Sequence, residues 1–125
     1  MGDQPQIRAV DDMNADTRRG GDVRTLLSPK SVGSTSGFMG VATLAPGDKI
    51  SEHYHPYSEE FIYVISGRIT AQLDGTPHEV CARQGLFIPI NVRHRLKNES
   101  NEEAFIVFQL GPLAPRPELG HVDTE

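Results

Sequence analysis

The sequence predicts an all-β domain, and three observations carry that prediction. Short runs rich in β-branched and apolar residues recur along the chain, divided by turn signals about every 8 to 12 residues. No window long enough for a helix shows an apolar stripe at helical spacing, so helix content should be low. The breaks also have turn chemistry: Ala45-Pro46-Gly47-Asp48 and Asp74-Gly75-Thr76-Pro77 combine positive and fixed φ. Asp74-Gly75 is a strong hairpin signal.

In chain order, residues 1–22 are polar, carry both signs of charge and end near Gly20-Gly21, so they read as an N-terminal arm without obvious chemistry. Strands follow at 23–28, 37–44, 50–55, 61–66, 68–73, 78–82, 85–88, 93–98 and 103–110. The domain body is therefore 23–111. Residues 112–125 contain Pro112, Pro115 and Pro117, each without an amide donor, and are expected to run as coil over the surface.

Composition narrows the function classes. At 125 residues the chain suits one domain with one core. Hydrophobic residues at 37% and charged residues at 23% fit a globular protein, and a net charge of -5 argues against nucleic acid as a partner. The longest nearly apolar run, 105–110, is far short of the roughly 20 residues a membrane helix needs, so no membrane role is expected. The start lacks the apolar core of a secretory signal. Cys81 is the sole cysteine, which rules out an internal disulfide and suggests a cytoplasmic location; inside its strand it reads as a small hydrophobe.

The chemistry concentrates in histidines. Side chains two apart on a strand share a face, so His53 and His55 can aim at one point inside a barrel. Imidazole is a common ligand of divalent metals and a carboxylate adds charge neutralisation; Glu60, or its neighbour Glu59, can supply one. His94 opens another strand after the Ile88-Pro89-Ile90-Asn91 turn, and a closed sheet would bring it to the same place. His78 and His121 fall outside these blocks and read as surface residues.

Gly47, five residues, His53, one residue, His55, four residues, Glu60, six residues, Gly67 is a full match to the first cupin motif. Pro89, His94 and Asn98 match the second, whose two glycine positions are held here by Arg83 and Asn91. Asn is the residue best able to replace Gly at positive φ. The chain thus resembles the cupins. The runs His53-Tyr-His-Pro-Tyr-Ser-Glu-Glu-Phe61 and Ile88-Pro-Ile-Asn-Val-Arg-His94, and the ending from Leu110 to Glu125, resemble the cupin cyclases of aromatic polyketide pathways, the tetracenomycin and resistomycin type.

That resemblance implies a small cupin jelly-roll barrel with His53, His55, Glu60 and His94 as metal ligands, zinc first and nickel or iron next. It implies a further histidine on the last strand, where this chain has Gln109, making Gln109 an oxygen ligand or a donor beside the metal. Tyr63, Gln109 and Asn98 are the candidate catalytic residues. Leu96 and Asn98 share the face of His94, and Phe38, Phe61, Tyr63, Phe87 and Phe108 are candidate pocket walls. Tyr54 and Tyr57 bracket His55 as further hydroxyl donors.

The implied substrate is a poly-β-ketone, whose methylenes between two carbonyls are acidic, and the implied reaction is ring closure assisted by a Lewis acid. An acyl carrier protein would deliver it, with Arg93, Arg95 and Lys97 on the outer strand face as a docking stripe. Exposed sheet edges and the arm are consistent with a homodimer. A cupin oxygenase acting on an aromatic polyketide, a non-catalytic ligand-binding cupin and an isomerase remain as other readings, because fold alone does not set function.

Overall fold

A computed structural model describes residues 5–125. Among the described residues ten strands form two five-stranded antiparallel sheets. In chain order they are β1 (Asp22–Leu27), β2 (Phe38–Leu44), β3 (Lys49–Tyr54), β4 (Glu59–Ser66), β5 (Arg68–Leu73), β6 (Thr76–Cys81), β7 (Gly85–Ile88), β8 (His94–Lys97), β9 (Ala104–Gly111) and β10 (Val122–Asp123). One sheet runs β1-β2-β9-β4-β7 and the other β10-β3-β8-β5-β6, which is the jelly-roll barrel expected.

Alternation along each strand selects the core. In β4, Glu60, Ile62 and Val64 are buried while Phe61, Tyr63 and Ile65 are exposed; in β9, Ala104, Ile106, Phe108 and Leu110 are buried. Together with Leu44, Ile69, Ala71, Ile88 and Leu96 these side chains fill the space between the sheets. Each large one contributes about 1.5–3 kcal/mol by leaving water.

The turns behave as their residues dictate. Asp74 (φ 48) and Gly75 (φ 87) join β5 to β6 with Leu73 opposite Thr76. Gly67 (φ 74) turns β4 into β5 so tightly that a Cβ there would sit 2.4 Å from the Glu103 carbonyl oxygen. Asn91 (φ 70) holds its turn in the left-handed region, and Arg83 (φ 71) does the same before β7. Both non-glycine residues therefore take the backbone conformation that a glycine would adopt most easily.

Four expectations need correction. Ser28 does not extend β1: its side chain accepts from the Ser31 amide in a capping box and starts a one-turn helix, α1 (Pro29–Val32). Cys81 is exposed on an edge strand rather than buried, since its neighbour Val80 takes the inward place. The tail is not all coil, because β10 adds to β3 and the Thr124 amide donates to the Glu52 carbonyl. The arm is not loose over its described part either: Asp16 bridges to Val23 and the Ser51 amide donates to the Arg19 carbonyl. Residues 1–4 of that arm lie outside the described residues. Among the described residues no helix is long and apolar enough to cross a membrane.

Candidate metal centre

β3 and β8 pair with His53 directly opposite His94. His55 follows just past the end of β3, where its carbonyl accepts from the Asn91 amide at 3.0 Å. Glu60 comes from β4 on the facing sheet. Neighbouring strands and a facing layer thus bring together residues up to 41 positions apart. One ligand atom from each of His53, His55, Glu60 and His94 lies within 4.8 Å of the others, and all four residues are buried. The carboxylate in the cluster is Glu60, and Glu59 stands outside it.

Each imidazole is oriented by a backbone carbonyl. Nδ1 of His53 meets the Ser51 oxygen at 2.7 Å, Nδ1 of His94 the Val92 oxygen at 3.0 Å and Nδ1 of His55 the Gly120 oxygen at 2.9 Å. A carbonyl only accepts, so each Nδ1 carries a proton, which leaves Nε2 as the nitrogen open to a metal.

Glu60 Oε1 lies 3.0 Å from His94 Nε2 and 3.2 Å from His55 Nε2. Neither separation has hydrogen-bond geometry, and Glu60 Oε1 and His94 Nε2 are left as buried polar atoms without a hydrogen-bond partner. Such atoms are costly to bury unless something polar satisfies them. A divalent cation would satisfy both, and three neutral imidazoles with one carboxylate are a donor set that zinc, nickel and iron accept.

The electrostatics agree with that fit. Burial, reinforced by charge on His94, lowers the pKa of His53 to about 3, so it is neutral at neutral pH. Burial opposes ionisation of Glu60, but His55 and His94 outweigh it and hold the carboxyl at about 2. Burial likewise opposes protonation of His94, and the Glu60 anion overcomes it, raising the pKa. In the metal-free protein the Glu60 anion therefore favours the protonated form of His94, and a bound cation would take that proton's place.

The cluster closes one side of a cavity of about 220 Å³. Its walls are Phe38, Ile50, Leu96, Ile106, Phe108 and Leu110; its rim includes Asp16, Arg19 and His121. His121 stacks on His53 with centroids 4.2 Å apart and planes 16° apart, and its Nε2 meets Asp123 Oδ1 at 2.9 Å. Arg19 Nε donates to the same oxygen at 2.8 Å. Burial and then the Arg19 charge lower the pKa of His121.

The expected catalytic residues lie elsewhere. Tyr63 points out of β4, 45% exposed, because two residues of alternation from Phe61 keep it off the Glu60 face. Gln109 is outward on β9 beside Phe61, since Phe108 and Leu110 hold the inward places. Asn98 does share the inward face with His94, but its amide is spent on the chain: Nδ2 donates to the Leu44 and Glu102 carbonyls and Oδ1 accepts from the Ser100 amide and hydroxyl. It pins the β8–β9 turn and does not line the cavity.

Phe38 and Phe108 are walls as expected, whereas Phe61 and Phe87 are exposed against each other on the outer face. Tyr54 and Tyr57 do not line the cavity; the Arg93 guanidinium sits 6.0 Å above the Tyr54 ring. His78 is exposed on β6. His121, Asp16 and Arg19 went unread as site residues because a polar arm and a Pro-rich tail show no local pattern that says where they dock. The one available signal is that His121 and Asp123 alternate as on a strand.

Comparison with known proteins gives a consistent result. The family model described as a cupin domain matches residues 40–109. Polyketide synthase CurC of Streptomyces cyaneus is 57% identical over 98% of this chain and 79% of its own length. Tetracenomycin polyketide synthase protein TcmJ of Streptomyces glaucescens is 50% identical over 86% of this chain and 72% of its own. The solved structure of the polyketide cyclase RemF from Streptomyces resistomycificus superposes with a TM-score of 0.76, covering 98% of this chain and 87% of RemF, at 16% identity, a likeness of fold.

Proposed function

Because this chain belongs to the cupin family and has polyketide synthase proteins as close relatives, we propose that it is a metal-dependent polyketide cyclase, closing a ring of a poly-β-ketone by aldol-type cyclisation and aromatisation. One observation carries the reading: an apolar cavity that ends on the buried His53, His55, Glu60 and His94 cluster. Zinc is the first choice of ion. Bound there, a divalent cation supplies Lewis-acid polarisation of a substrate carbonyl and favours its enolate.

The chain's own residues do the rest. Phe38, Leu96, Ile106 and Phe108 bind the substrate's hydrocarbon and exclude water, so that ring choice follows from how the chain is folded against them. The cavity is smaller than the roughly 300–1,000 Å³ of drug-sized pockets, which suits admission of the reacting portion rather than the whole polyketide. The carbonyls of Ser51, Val92 and Gly120 keep the Nδ1 protons in place, and the Glu60 anion balances positive charge.

Delivery by an acyl carrier protein and assembly as a homodimer belong to the same reading. Arg93 and Lys97 face outward on either side of Arg95, whose guanidinium is taken by Glu125 and Gln72. Charge reversal at Arg93 and Lys97 should raise KM for carrier-bound substrate at unchanged kcat, and an unchanged KM removes the docking stripe.

The deciding experiment pairs elemental analysis with turnover. Stoichiometric metal lost in a His53→Ala/His55→Ala variant, with cyclisation that proceeds anaerobically, supports the cyclase. A requirement for dioxygen moves the assignment to an oxygenase, and absence of metal after reloading sinks the metal centre.

A further inference from the structure

The three imidazoles meet at one point, yet they are not held there by the same part of the chain. A histidine is fixed for metal binding when its other nitrogen is engaged, which settles tautomer and ring orientation together. For His53 and His94 the engaging carbonyl lies only two residues back, at Ser51 and Val92. Each of these ligands is oriented by its own local backbone.

His55 has already left β3, and its Nδ1 donates to the carbonyl of Gly120, 65 residues later. That carbonyl stays in place because the residues after it are anchored at successive points. Val122 and Asp123 pair with Tyr54 and His53. The Thr124 amide donates to the Glu52 carbonyl. Glu125 accepts from Arg95, from Lys49 and from the Glu52 amide. Asp123 is held by Arg19 from the arm, and His121 stacks on the His53 ring.

We infer that residues 120–125 are a working part of the cation site: the Gly120 carbonyl positions His55, so cation binding at the cluster and docking of this tail strengthen one another. The inference rests on the reading of the cluster as a metal centre. Coupling of this kind is reciprocal, so whatever loosens the tail weakens the cation and whatever loads the cation tightens the tail.

The test is a zinc(II) titration of the metal-free full chain, of a variant ending at Leu119 and of an Asp123→Ala/Glu125→Ala variant, each with and without His55→Ala. Truncation should weaken zinc binding about 10- to 100-fold, the usual range for losing an outer hydrogen bond to a ligand. The double substitution should fall between truncated and intact. With His55→Ala in the background, most of the truncation effect should vanish. Hydrogen exchange of the Thr124 and Glu52 amides in the intact chain should slow on zinc loading.

Unchanged affinity on truncation, or an equal loss with and without His55, overturns the inference while leaving the metal centre standing. Unchanged exchange on loading overturns it as well, and does so even if the truncated variant fails to fold. Failure of the intact chain to take up zinc, nickel or iron removes the metal centre and the inference with it.

Discussion

The two faces of β4 and β9 hold residues of similar chemical promise and opposite consequence. Inward lie Glu60, Ile106 and Phe108, which build the cluster and the cavity; outward, one residue away, lie Phe61, Tyr63 and Gln109, which touch neither. A tyrosine hydroxyl and a carboxamide look catalytic by type, yet parity along the strand decides whether they reach the site. In a barrel, position modulo two outranks residue identity.

The sharpest attempt to break that comparison removes an inward cluster residue. His94→Ala should lose stoichiometric metal and reduce turnover at least 100-fold, read by elemental analysis and a cyclisation assay; retained metal would mean that the inward face is not the site. Next, an inward wall residue that offers no metal ligand, Ile106→Ala, should cost about 2–5 kcal/mol in a urea melt, because Ile106 is almost completely buried.

A smaller loss is expected at Asn98. Asn98→Ala leaves the Leu44 and Glu102 carbonyls without their donor and should cost about 1–3 kcal/mol, with kcat per folded enzyme unchanged. A fall in kcat at full folding would restore Asn98 as a catalytic group. The smallest effects belong to the outward face: Tyr63→Phe and Gln109→Ala should leave kcat/KM within about twofold and stability within about 0.5 kcal/mol. A large loss at either would break the comparison outright.

The pH dependence can sharpen it further. Hydrogen bonds from Arg95 and Lys49 lower the pKa of Glu125 from 4.5 to about 2. A depressed carboxylate contributes docking that is fully present above its ordinary value and lost as pH falls toward the lowered one. Exchange of the Thr124 amide in metal-free protein should therefore quicken as pH drops from about 4.5 to about 2, after correction for intrinsic exchange. Glu125→Gln should reduce that dependence, leaving the part contributed by Asp123, which its hydrogen bond from Arg19 also holds at about 2.

Much of the architecture was legible because it is local. The strands at 68–73 and 85–88 match β5 and β7, and Asp74-Gly75 makes the hairpin that its residue types demand. The cupin spacing reached the residues of the cluster for the same reason: His53 and His55 are near neighbours on one segment, and Glu60 and His94 stand at set distances from landmarks such as Gly67 and Pro89. Tyr63 and Gln109 fall on the outward face by strand parity counted from Glu60 and Phe108, a register that neither residue type nor the resemblance behind Gln109 reveals.

Alternation and turn chemistry, which act between residues close in the chain, were enough for the all-β class and the turns, and the cupin resemblance named the four residues of the cluster. Contacts distant in the chain settle the rest: Asn98 serves the backbone, Arg19 reaches the cavity, His121 stacks on His53 and Gly120 orients His55. Those contacts join segments separated by 54 to 104 positions, and they exist only once two sheets have closed around a core and left an open strand edge for the tail to complete.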